Sequence, residues 1–258
     1  MYSTNLNYLE KIFNFVDVHR ICSSTLINKN LFELENIIEL YDIIIIGGGP
    51  QHLIGDYKKK YPEISNQIEL VKIFSQKYTH NSNSNKKVLL GICLGCQIIG
   101  LAFGCKISQL KNKVIRGFGN LDLTSINYAH INNSKDIYLN KIKWDLFAHT
   151  YSAHMDYIDI DHADIDHVDI ETNSESEHNK SSDIIFIAKS NIDIPYVITI
   201  KNSPIYAFQF HPEITYDDIK NSQINQSTYS NDYLEQLKLF EKCDSDIYEH
   251  FFSIFIFE

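Results

Sequence analysis

Apolar positions along the chain fall into short runs bounded by turn-forming residues. Ile43–Ile46 precedes three glycines, Val88–Ile92 precedes a glycine-containing turn, and Ile184–Ala188, Tyr196–Ile200 and Tyr206–Phe210 follow later. Runs this short, rich in β-branched and aromatic residues, predict buried strands. Elsewhere the spacing changes to a helical period. Leu31–Leu40 and Leu94–Phe103 read this way, and in Tyr233–Phe240 the residues Leu234, Leu237 and Phe240 share one face. Strands alternating with helices in the first half predict a parallel sheet covered on both sides, and the closely spaced later strands predict antiparallel additions. The expected class is α/β, a mostly parallel sheet flanked by helices.

Two stretches break this pattern. Lys77–Lys87 (KYTHNSNSNKK) is polar and reads as a loop. Asp156–Ile170 consists of three tandem pentapeptides, DYIDI, DHADI and DHVDI, and the polar tract ETNSESEHNKSSD follows. Carboxylates with interspersed histidines resemble a metal site, but there is no cysteine and no helical histidine spacing. The expectation is a solvated acidic insertion over 156–183 with no bound metal, inside a single domain spanning 1–258.

Composition narrows the function. A chain of 258 residues, 44% apolar, can bury one sizeable core. Its formal charge of -10 argues against a surface that neutralises phosphates or anionic lipid, so neither nucleic acid nor membrane is an expected partner. The five cysteines, at positions 22, 93, 96, 105 and 243, form no disulfide framework. With no secretory pattern at the N-terminus and no apolar stretch of bilayer length, the expected location is the cytoplasm.

Three segments carry candidate chemistry. In GICLGCQ, residues 91–97, Cys93 stands between two glycines where a buried strand should turn into a helix. That spacing suits a strained elbow that lifts a nucleophile above the sheet, and the helix N-terminus favours thiolate there. Cys96 and Cys105 read instead as small apolar packing residues. In QFHPEIT, residues 209–215, His211 and Glu213 supply an imidazole and the carboxylate that would orient it, with Pro212 stiffening the turn. In IIIIGGGP, residues 43–50, the glycines could cradle a phosphate, yet neither a G-x-G-x-x-G nor a Gly-Lys-Ser/Thr pattern is completed. Backbone N–H groups of such a turn can instead hold an oxyanion.

In that order, GGGP, G-x-C-x-G-x-Q and HPE, the chain resembles the class I glutamine amidotransferases from about residue 30 to about residue 240. QFHPEIT and SAHMDYI look most like the amidotransferase portion of GMP synthetase. The resemblance implies a flavodoxin-like fold and hydrolysis of L-glutamine to glutamate and ammonia through a Cys93 thioester, without a cofactor. It implies His211 as base and acid, Glu213 as its orienting carboxylate, Gly49 and Leu94 as backbone oxyanion donors, and Gln97 as a substrate-positioning residue. A synthetase partner that accepts the ammonia is implied, with nucleotide biosynthesis the expected pathway. Relatives that cleave γ-glutamyl bonds without transfer, and a catalytically weak regulatory subunit, are the alternatives. The sequence departs from the family pattern at Met155, where the GMP synthetase branch carries glycine, and at its start, where Met1–Asn7 is not strand-like and Tyr8–Phe15 has helical spacing.

Overall fold

A computed structural model describes residues 16–78, 87–110, 115–118, 121–133, 138–154, 156–159, 183–222 and 231–256. The apolar runs pair as strands: β1 (Ile43–Ile46), β2 (Val88–Ile92), β8 (Ile184–Ser190), β9 (Pro195–Ile200) and β10 (Ser203–Phe208). With the short β5 (Leu121–Asp122) they make a sheet in the order β1-β2-β10-β9-β8-β5. The β1–β2 and β2–β10 pairs are parallel, and the β10–β9, β9–β8 and β8–β5 pairs are antiparallel. The expected α/β architecture forms, but the sheet is mixed rather than mostly parallel: three of its five described strand pairs are antiparallel, because the closely spaced later strands pair with their chain neighbours. The register slips between Ser203 and Tyr206, where Pro204 has no N–H to give the ladder.

Helix α1 (Leu31–Leu40) starts on a capping box: Glu33 N donates to Asn30 Oδ1 at 3.0 Å, and Asn30 N donates to Glu33 Oε2 at 2.9 Å. At its other end the buried Lys87 Nζ donates to the carbonyls of Glu39 (2.9 Å) and Tyr41 (2.8 Å). A cation on orphaned C-terminal carbonyls complements the helix dipole, and here it also ties α1 to the start of β2. Helix α2 (Tyr57–Lys60) is a single turn, and α3 (Pro62–Lys77) opens with proline at its first position, where the missing N–H costs nothing. Helix α4 (Leu94–Ala102) follows β2 directly. The C-terminal half adds α5 (Tyr128–Asn133), α6 (Tyr216–Ser222) and the long α7 (Asn231–Ile256).

Strand alternation divides the core into two apolar clusters, one on each face of the sheet. Val88 and Leu90 of β2, with Tyr206 and Phe208 of β10, pack against Phe240, Ile247, Tyr248 and Phe251 of α7. Leu89, Ile205 and Ala207 face the other way, onto Leu34 and Ile38 of α1, Val71 and Phe74 of α3, and Ile98 and Ile99 of α4. Phe208 and Phe251 meet edge to face at 4.9 Å and 82°, the arrangement aromatic quadrupoles favour.

Two antiparallel ribbons stand outside the main sheet: β3 (Lys106–Gln109) with β7 (Asp156–Asp159), and β4 (Ile115–Phe118) with β6 (Tyr151–His154). The first of these corrects the expected insertion, which was to begin at residue 156. The leading repeat, DYID, is strand β7, with Asp156 and Asp159 buried and Ile158 fully so. An Ile in a stretch flanked by aspartates reads as acidic low complexity in one dimension, yet here it packs in the apolar cluster with α4. The remaining acidic tract, residues 160–182, lies outside the described residues, as do residues 1–15, the centre of the polar loop at 79–86, and Met155. Among the described residues, no helix is long and apolar enough to cross a membrane.

Candidate active site

Strand β2 ends at Ile92, and Cys93 caps helix α4 with φ +54° and ψ −103°. A non-glycine residue held at positive φ in a strand-to-helix elbow is strained, and such strain persists only where its surroundings enforce it. They do so here through close backbone approach. A Cβ on Gly95 would lie 2.8 Å from the carbonyl carbon of Ile46 and closer still to its oxygen, while one on Gly91 would lie 2.7 Å from Gly95 O. Gly95 is thus required for α4 to seat against the end of β1, and Gly91 for α4 to fold back over β2. Cys93 N donates to Phe208 O at 2.8 Å, which pins the elbow to β10.

From the end of β10 the chain runs through Gln209 and Phe210 to His211, whose N–H donates to Tyr151 O at 2.8 Å in an isolated antiparallel bridge. Two residues on, the Glu213 carboxylate accepts from His211 Nδ1 at 2.8 Å. A carboxylate can only accept, so the proton sits on Nδ1 and Nε2 is left for other work. Cys93, His211 and Glu213 are 5%, 6% and 2% exposed, so water barely screens their interactions. Burial by itself would push the His211 pKa down, but Glu213 and the Cys93 sulfur together outweigh it and hold the imidazolium well above its ordinary value.

The glycine turn closes the site from a third direction. A Cβ on Gly48 would lie 3.1 Å from His211 Cε1 and 3.7 Å from Cys93 Cβ, and one on Gly49 would lie 2.7 Å from Leu94 Cδ2. The segments GGGP, GICLGCQ and HPE, far apart in sequence, therefore converge. Leu94, as the first residue of α4, has a backbone N–H that the helix itself cannot satisfy.

Gln97 is brought to the site but not into the open. It is buried, and its Nε2 donates to Asp156 O at 2.8 Å and to Gln209 Oε1 at 3.4 Å. The same carbonyl of Asp156 accepts from His154 Nδ1 at 3.2 Å, while His154 Nε2 accepts from the Tyr196 hydroxyl at 3.2 Å. His52, on the loop after GGGP, donates from Nδ1 to Asp156 Oδ2 at 3.0 Å. The His154, Asp156 and His52 network was not legible in the sequence. SAHMD reads as a motif, yet nothing in it tells which backbone carbonyl collects which side chains.

Cys96 and Cys105 behave as expected of packing residues. Burial, helped by Cys93 and Cys105, pushes the Cys96 thiol well up, and burial with Asp159 raises Cys105 to about 11. Cys22 is exposed. Among the described residues, no group of His, Cys, Asp and Glu is arranged to hold a metal ion.

His154 links the site to acid stability. Burial, with the nearby His211 charge, lowers its pKa from 6.5 to about 4, against the opposing effect of the Asp156 carbonyl. A folded-state pKa below the unfolded one means the unfolded chain binds the proton first as pH falls. Stability is therefore intact above pH 6.5 and lost between 6.5 and about 4. The loss from this group approaches about 3 kcal/mol at 1.36 kcal/mol per pKa unit. Urea midpoints at pH 7 and pH 4.5 should fall further apart in the wild type than in His154→Gln. Equal separations in the two proteins would show that His154 does not carry this pH dependence.

Comparison with known proteins adds relatives to this geometry. The family described as glutamine amidotransferase class-I matches residues 15–229. The glutamine amidotransferase-like protein L716 of Acanthamoeba polyphaga mimivirus is 30% identical over 192 residues, which cover 74% of this chain and 67% of that protein. Among solved structures, a glutamine amidotransferase from Thermotoga maritima aligns with a TM-score of 0.59 over 98% of this chain and 92% of that one. At 15% identity the likeness is one of fold.

Proposed function

The chain belongs to the glutamine amidotransferase class-I family, and from that premise we propose that it hydrolyses the side-chain amide of L-glutamine and passes the ammonia to a synthetase partner. The observation that carries this reading is Cys93, held at positive φ on the elbow beside an imidazole that is hydrogen-bonded to Glu213. In the first step the sulfur attacks the amide carbon, and the thiol proton resides on His211. The C=O π pair moves onto oxygen, where the backbone N–H groups of Gly49 and Leu94 receive the negative charge. Each such donor is worth ~2.7–4 kcal/mol of barrier. The C–N bond then breaks as the imidazolium delivers its proton to nitrogen, so ammonia leaves and a glutamyl thioester remains. Water, deprotonated by His211, cleaves the thioester to glutamate and restores the thiol. Glu213 keeps the proton on Nδ1 throughout, so that Nε2 faces the reaction.

The segments QFHPEIT and SAHMDYI favour a GMP synthetase-like partner within purine biosynthesis. The test is equimolar release of glutamate and ammonia from L-glutamine, alone and with such a synthetase subunit, with incorporation of the amide nitrogen into its product. Cleavage of γ-glutamyl peptides without turnover of free glutamine would assign the chain to hydrolysis without transfer. Inactivity on both, partner included, would leave a regulatory subunit.

A further inference from the structure

The glutaminase reading assigns no role to His52, yet this side chain joins two parts of the site. We propose that His52 is a positioning residue: through its bond to Asp156 it fixes the glycine turn relative to the strand that anchors Gln97, and so sets selectivity for a glutamine-shaped substrate.

Asp156 is the node. Its main-chain carbonyl accepts from Gln97 at 2.8 Å and from His154 at 3.2 Å, and its side chain accepts from His52 at 3.0 Å. The second carboxylate oxygen, Oδ1, is buried and has no hydrogen-bond partner among the described residues. His52 therefore gives this 4% exposed carboxylate the one side-chain donor it has there, from a ring that is itself 46% exposed. Without that donor both oxygens would be buried and unpaired, which is costly enough to turn the carboxylate toward water. That turn draws on the main chain at position 156, and with it the carbonyl that orients Gln97.

The other end of the clasp is the turn itself. His52 lies three residues after Gly49 and four after Gly48, whose neighbours across the site are Leu94, Cys93 and His211. Releasing His52 frees the downstream end of this turn, while the elbow, pinned by Gly95 and by the Phe208 carbonyl, stays put. The substrate would then meet its oxyanion donors and Gln97 out of register. A displacement of about 1 Å in such an arrangement can cost up to roughly 100-fold in rate.

The proposal rests on the glutaminase reading, and the test separates the two by comparing two electrophiles on the 258-residue chain. One is an α-chloroketone analogue of glutamine; the other is iodoacetamide, which needs no glutamine-shaped pocket. In the wild type the analogue should label Cys93 much faster than iodoacetamide does. In His52→Ala that preference should shrink by roughly 10-fold or more, with iodoacetamide labelling little changed and the thermal midpoint lowered by only a few degrees. His52→Asn places an amide donor where Nδ1 stands and should recover most of the preference. Turnover should lose in kcat as well as KM, as expected when the turn rather than the pocket alone is displaced. A His52→Ala protein that keeps the wild-type preference overturns this proposal and leaves the glutaminase reading standing. A wild-type protein that shows no preference at all overturns both.

Discussion

Replacing Cys93 by alanine is expected to lower glutamine hydrolysis by roughly four to six powers of ten and to abolish stoichiometric labelling by a glutamine-analogue electrophile. The size of the effect follows from the chemistry. No other described nucleophile shares the elbow, and without the sulfur water must attack the amide directly, aided only by the oxyanion donors and substrate binding. The fold should hardly notice. Alanine at the same positive φ carries the same backbone strain as cysteine, and the Gly91 and Gly95 contacts that enforce the elbow do not involve the Cys93 side chain. A thermal midpoint close to the wild type, together with lost turnover, is the expected pair of results. Cys96→Ala should do the reverse, because that sulfur is fully buried in the apolar cluster with Ile98, Ile99 and Ala102 and its thiol is pushed well up. Its turnover should stay within a small factor while stability falls. If Cys96→Ala were inactive and Cys93→Ala active, the nucleophile has been assigned to the wrong thiol.

Gly95→Ala is expected to cost on the order of 3 kcal/mol of stability or more, and to lose activity beyond what the remaining folded fraction explains. Gly55→Ala is the control, expected to cost about 1 kcal/mol. At Gly55 the φ of +67° is unfavourable for alanine but nothing lies within 4 Å of the new methyl. At Gly95 the methyl falls on the main chain of Ile46, and backbone, unlike the end of a flexible side chain, cannot step aside. The cheapest accommodation is to lift α4 off β1. That movement separates Leu94 from Gly49 and tilts the elbow that presents Cys93, so structure and chemistry should fail together. Denaturant midpoints for both variants, with turnover measured at matched folded fraction, decide the matter. A Gly95→Ala protein as stable as Gly55→Ala would mean that α4 and β1 do not approach as described.

How much of this could be read in the sequence depended on how local the cause was. The runs Ile43–Ile46 and Val88–Ile92 became β1 and β2 with the expected bounds, because a short apolar run between turn signals has few other uses. Leu31–Leu40 became α1 for an equally local reason, the Asn30 and Glu33 capping box at its start. Strand β7 went unrecognised because the repeated Asp and His residues masked one buried Ile, and strands in such ribbons are defined by a partner, here β3, that no local pattern announces. Gln97 was legible as a motif residue but not in its surroundings. Its bonds to Asp156 and Gln209 span 59 and 112 positions of sequence.

The sequence by itself determined the local chemistry: a cysteine between glycines after an apolar run, a histidine two residues before a glutamate, and a glycine turn after a strand. Backbone geometry explains why these survive as readable patterns, since an elbow needs its glycines within two residues and a His–Glu hydrogen bond can close over a single turn. Only the tertiary structure decided that the three meet, that Asp156 gathers Gln97, His154 and His52 at one residue, and that Glu213 and Cys93 raise the His211 pKa against burial. Those facts depend on distances across a folded sheet and on burial, and neither is a property of neighbouring residues in the chain.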